Sequence, residues 1–128
     1  MSTTEKSRYG LELVLDLHHC DRTTFNRSSI EAFFTDLCRL IEMERCDVHF
    51  FDELTSDPIV RVLNEKTKGT SAVCFILTSS IVVHALDLLE SVYVNIFSCK
   101  DFDTTVAGEF ARDWFRGTIV HSTCLQRS

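Results

Sequence analysis

Leu11, Leu13, Leu15 and Leu17 alternate with Glu12, Val14, Asp16 and His18. That period of two predicts a strand with one apolar face. Ser28-Ser29-Ile30-Glu31 has the spacing of a capping box, and Ile30, Phe33, Phe34, Leu37 and Ile41 behind it fall on one helical stripe. Val48–Phe51 reads as a short strand. Residues 52–69 mix charges with the only proline, Pro58, and Gly69, and predict a loop with room for one helical turn. Three strands follow at Ala72–Leu77, Ser80–His84 and Ser91–Ser98. Asp103 is placed to cap a helix that buries Val106, Ala107, Phe110, Ala111 and Trp114, with Gly117 to end it and Thr118–Cys124 as a last strand. The order β-α-β-loop-β-β-β-α-β predicts an α+β two-layer sandwich, a mainly antiparallel sheet with two helices packed on one face.

Composition narrows the class. Residues 1–128 are short enough to expect a single domain, with residues 1–8 as a polar leader. Leu, Ile, Val and Phe make up 41 residues, enough for a core, whereas 4 Gly and 1 Pro exclude collagen-like and low-complexity chains. A net charge of −6 without a basic cluster argues against nucleic acid as a partner. The longest uncharged stretch, Gly69–Leu86, reaches 18 residues, but its Ser, Thr and His content fits two buried strands joined at Thr78-Ser79-Ser80 better than a membrane span. With residues 1–10 polar, no signal peptide is expected, so the expected location is cytoplasmic and no membrane partner is expected. Six cysteines without a CxxC pair predict reduced thiols, most of them small core residues.

Several groups have plain structural readings. His18, His19 and Cys20 are adjacent on a strand end, so they point to opposite faces and cannot converge on one metal ion. Asp52-Glu53 reads as a solvated acidic turn. His49 and His121 have no patterned partners, and Phe33, Phe34, Phe110 and Trp114 sit at core spacing. No metal is expected.

The segment Gly69–His84 together with Asn95–Lys100 is different, because it places hydroxyls, an imidazole and a thiol on neighbouring apolar strands. Burying such groups costs free energy unless they are paired or used. On residue types alone, packing with hydrogen bonds and catalysis both remain open.

Gly69 to Cys99 resembles the core of the small prokaryotic-type S-adenosylmethionine decarboxylases, a family of pyruvoyl enzymes. Their pattern is a Ser shortly after a Gly, then Glu-Ser-His-x-Ser-x-His, then an apolar strand ending in Phe-Thr/Ser-Cys. Ser71 matches the first serine, Ser79 the cleavage serine, His84 the histidine five residues on, and Cys99 the cysteine. The strand Tyr9–Asp21 and the segment Phe97–Asp103 also fit, so the resemblance covers most of the chain.

The resemblance implies autocatalytic cleavage of a zymogen between Thr78 and Ser79. Ser79 attacks the Thr78 carbonyl, His84 assists removal of the Ser79 α-proton, and Ser71 stabilises the acyl shift. Ser79 thereby becomes a pyruvoyl group whose ketone forms a Schiff base with the substrate amine, and Cys99 is the proton donor in turnover. It further implies S-adenosylmethionine as substrate, a role in polyamine (spermidine) synthesis, and a homodimer with sites near the subunit interface. The chain departs from the pattern at Thr78 (Glu in the family), Ser80 (His) and Val82 (Ser). Ala85-Leu86-Asp87-Leu88 replaces Thr-x-Pro-Glu, so Asp87 or Glu90 is the candidate for the missing ribose-binding acid. Two other readings follow from these departures. One is a pyruvoyl-dependent decarboxylase of ornithine or arginine; the other is an unprocessed, catalytically silent homologue serving as a binding or regulatory subunit.

Overall fold

The computed structural model of the chain describes residues 8–52 and 68–128, so the expected leader, apart from Arg8, and the expected loop, apart from its ends, lie outside the described residues. Strand β1 (Gly10–His18) leads through a 3-10 turn (Arg22–Thr24) into helix α1 (Arg27–Leu40) and strand β2 (Arg45–Phe51). Strands β3 (Gly69–Ile76), β4 (Ser79–Leu86) and β5 (Ser91–Ser98) precede helix α2 (Thr104–Phe115) and strand β6 (Thr118–Arg127). The six strands pair antiparallel in the order β2-β3-β4-β5-β1-β6. This is the predicted two-layer α+β sandwich.

The alternation in the strands decides which face is covered. Leu13, Leu15 and Leu17 of β1, Ile81, Val83 and Ala85 of β4, and Val92, Val94 and Ile96 of β5 are buried in one core with Phe33, Phe34 and Leu37 of α1 and Ala107, Ala111 and Phe115 of α2. Phe33 is the hub of its aromatic part, 5.0 to 6.0 Å by ring centroid from Phe34, Phe110, Trp114 and Phe115. The opposite face carries Val14, Asp16, Val82, His84, Tyr93 and Asn95, and the helices leave it open. No helix among the described residues is long and apolar enough to cross a membrane.

Local details depart from the expectations for identifiable reasons. Helix α1 starts one residue ahead of Ser28, so the cap is Asn26, whose Oδ1 accepts from the Ser29 N–H at 2.9 Å. Starting there lets Arg27 reach Asp52 with two hydrogen bonds of 2.6 and 2.9 Å. Asp52 is therefore a buried, paired carboxylate and not a solvated turn residue. Asp103 caps α2 as expected, accepting from the Val106 N–H at 3.0 Å, but the buried stripe is Ala107, Gly108, Ala111 and Phe115, which leaves Val106 exposed. Arg116, with φ 54°, takes the left-handed position that ends α2. Gly117 is required by space instead: a Cβ there would lie 2.5 Å from Cys20 Sγ. Only Cys20, Cys38 and Cys74 are buried; Cys99 is half-buried, and Cys46 and Cys124 are exposed.

Candidate active site

The β3–β4 hairpin pairs Ile76 with Ser79 across a two-residue turn, Leu77-Thr78. Thr78 has φ 55°, a left-handed conformation that crowds a β-branched side chain and costs about 1–2 kcal/mol. The strained residue thus supplies the carbonyl of the Thr78–Ser79 peptide. Ser79 is buried at the start of β4, and its Oγ accepts the Cys99 N–H at 2.9 Å. Cys99 Sγ lies 3.9 Å from the Leu77 carbonyl, to which the Thr78 hydroxyl also donates at 2.7 Å. The Thr78 hydroxyl, then that of Ser79, holds the Cys99 thiol below the ordinary range, with the Lys100 charge adding to this and partial burial opposing it. A hydroxyl, a thiol and a strained turn residue are therefore concentrated at one end of the sheet.

Ser71 and His84 form a second cluster. They face each other directly across β3 and β4, with Ser71 Oγ and His84 Nδ1 hydrogen-bonded at 2.7 Å. Both belong to the face without helices, where His84 is exposed beside a shallow recess of about 330 Å³ shared with Val14, Asp16, Val82, Tyr93 and Asn95. The sequence places these residues in one apolar centre with Ser79 and Cys99; the chain does not bring them there. Ser79 and His84 are five residues apart on one strand, an odd separation that puts them on opposite faces, roughly 16 Å apart along it.

Asp87 and Glu90 lie in the β4–β5 turn, at the end of the sheet remote from Ser79. Asp87 is 3.6 Å from Lys68 Nζ and Glu90 is 4.0 Å from Arg22. These ion pairs border a recess of about 600 Å³ that also contains Cys20, Asp21 and Leu88. His19, at φ 56°, is exposed where the chain leaves β1, while Cys20 turns inward and burial pushes its thiol up to about 11, leaving it inert. His121 shares a 2.7 Å hydrogen bond with Thr123, and among the described residues no three metal-capable side chains converge.

The sequence profile of the S-adenosylmethionine decarboxylase family matches residues 11–128. The chain belongs to the S-adenosylmethionine decarboxylase family. The crystal structure of the adenosylmethionine decarboxylase from Aquifex aeolicus superposes with a TM-score of 0.70 at 15% identity, over 92% of this chain and 89% of that one. At that identity the superposition speaks for the fold, and the profile speaks for the family. No curated protein matches the sequence. Within this decarboxylase family member, the residues quoted for the resemblance occupy two places: Ser79 and Cys99 at the hairpin end, Ser71 and His84 on the open face. Sequence reasoning gave no role to Gly10 or Ser98, whose backbone and side chain abut Cys99.

Proposed function

We propose that the chain is a self-processing, pyruvoyl-dependent S-adenosylmethionine decarboxylase whose product supplies aminopropyl groups for polyamine synthesis. The observation that carries this reading is the buried Ser79 hydroxyl directly after the left-handed Thr78, hydrogen-bonded by the Cys99 N–H. Ser79 Oγ adds to the Thr78 carbonyl and the C–N bond breaks, giving an ester and a free Ser79 amine. Loss of the Ser79 α-proton then expels the Thr78 carboxylate by β-elimination, and water releases ammonia from the new N-terminus. Only a residue with a β-hydroxyl or thiol can be both nucleophile and leaving group. The residues fit the prosthetic group, because the serine that forms it opens β4 next to a thiol. A pyruvoyl carbonyl supplies an electrophile for amines and an electron sink for decarboxylation.

Cys99 Sγ is the group placed to return a proton to the carbon that loses CO₂. That role needs the thiol protonated, whereas in the intact chain the Thr78 and Ser79 hydroxyls favour the thiolate. Cleavage consumes the Ser79 hydroxyl and leaves a carboxylate at Thr78, and both changes raise the thiol's pKa. In an intact chain held by His84→Ala, alkylation of Cys99 by iodoacetamide, read by peptide mass, therefore rises at lower pH than in the cleaved protein. Equal midpoints would remove the link between cleavage and protonation.

The base for processing comes from elsewhere. His84 and Ser71 lie too far from Ser79 in the same chain, and the face that carries them also presents Val14, Val82 and Tyr93. A second chain is therefore the source of the Ser71–His84 pair that serves Ser79, in keeping with the homodimer and the sites near its interface that the family resemblance implies.

A second reading, decarboxylation of ornithine or arginine, is favoured by one observation: Asp87 and Glu90 are each already engaged with a cation. Release of CO₂ from S-adenosylmethionine by fully cleaved protein separates the two. If Asp87 has become the ribose acceptor, Asp87→Ala raises KM roughly 5- to 150-fold and leaves cleavage intact, because a buried hydroxyl left unpaired costs about 1–3 kcal/mol. Turnover of ornithine or arginine, with none of S-adenosylmethionine, would overturn the choice of substrate.

A further inference from the structure

Ser98 is fully buried, the last residue of β5, and points to the helix side of the sheet with Val92, Val94 and Ile96. A hydroxyl in that position must find partners or lose its hydration without return. It finds both on one residue: Ser98 Oγ donates to the Lys100 carbonyl at 2.6 Å and accepts the Lys100 N–H at 3.1 Å. These two bonds close a tight loop around Cys99, the residue between. The same loop is pressed from β1, where Gly10 lies so close that a Cβ would come 1.9 Å from the Ser98 carbonyl oxygen and 2.9 Å from Cys99 Cα. On its far side, Lys100 Nζ donates to the Glu42 carbonyl beyond the end of α1, and Arg8 pairs with Asp101. The backbone donor this clamp directs at the cleavage hairpin is the Cys99 N–H, 2.9 Å from Ser79 Oγ.

We propose that Ser98 is a positioning residue for chain cleavage, whose hydroxyl curls the backbone at Lys100 so that the Cys99 N–H is fixed on Ser79 Oγ. This rests on the self-processing reading above and adds a residue to it. The N–H sets the rotamer of the Ser79 hydroxyl and stabilises the charge that builds on its oxygen as the proton leaves. A donor fixed by the backbone needs no reorganisation when the attack occurs, and small misplacements in such arrangements cost large factors in rate. Gly10 has the complementary part of leaving room for that backbone path.

The effect is separable from stability. Ser98→Ala removes a single oxygen atom and leaves the surrounding packing in place, so the variant is expected to fold. Cleavage is followed by intact mass in wild-type, Ser98→Ala and Ser98→Thr proteins. Folding is followed by thermal melts of each Ser98 variant combined with Ser79→Ala, so that every melt is of an uncut chain. The expected result is cleavage slowed at least tenfold in Ser98→Ala and within about threefold of wild type in Ser98→Thr, which keeps the hydroxyl. Cleavage of Ser98→Ala at the wild-type rate would overturn the proposal. So would equal slowing by Thr and Ala, which would make side-chain volume the cause, or loss of the folded state in Ser98→Ala. A wild-type chain that never cleaves would instead remove the self-processing reading itself.

Discussion

Intact mass of the purified protein is expected to resolve into fragments of 78 and 50 residues, the shorter blocked at its N-terminus, whereas Ser79→Ala is expected to stay a single chain of 128. The expected difference is complete, because alanine offers neither a nucleophile nor a leaving group. Ser80 cannot substitute. It is the next residue along β4 and so faces the open side of the sheet, away from the Cys99 N–H. The substitution also leaves that N–H without its acceptor, a loss of about 1 kcal/mol that does not threaten the fold. Wild-type protein that remains at full length after prolonged incubation would overturn self-processing, and would favour the uncleaved homologue that acts as a binding or regulatory subunit.

The fold was legible because its strands announce themselves by parity. Leu11 to Leu17 and Val92 to Ile96 alternate so cleanly that both the sheet and its buried face follow from the sequence. Helix ends were less legible: Asn26 and Ser28 are both good caps, and the choice was made by the long-range pairing of Arg27 with Asp52. The same pairing makes Asp52, which reads as solvated, a buried anchor.

The candidate site was legible as a set of residue types, but not as an arrangement. Motif spacing names Ser71, Ser79, His84 and Cys99 without stating that an odd separation within one strand sends Ser79 and His84 to opposite faces. That signal was present in the sequence once β4 was drawn as a continuous strand. The contact of Cys99 with the hairpin was not, because it depends on β4 pairing with β5 in a register that sets Ser80 opposite Phe97. Ser98 stands at the Thr/Ser position of the Phe-Thr/Ser-Cys ending, but that position names no role, and its value lies in two bonds to a backbone two residues away.

The separation of the two pairs leads to the second large effect. His84→Ala is expected to stop processing, because the group to which the family resemblance assigns removal of the Ser79 α-proton is gone while Ser79, Cys99 and the strained turn are untouched. If that histidine served its own chain, the loss could not be repaired from outside. Roughly 16 Å of strand and a change of face separate it from Ser79, so on the two-chain reading proposed above the histidine that acts belongs to a second copy. Mixing His84→Ala with Ser79→Ala chains under conditions that exchange subunits therefore restores cleavage, and only in the His84→Ala chain. That chain retains its own Ser79 and receives the imidazole of a partner that cannot itself be cut. Tagging one variant identifies the cut chain by mass, and about half of the His84→Ala chains are cleaved at equal mixing, the fraction whose partner carries His84, if exchange is random. Cleavage of His84→Ala alone at the wild-type rate would remove the histidine from processing. An unrescued His84→Ala chain in a mixture shown to contain heterodimers would remove the shared site.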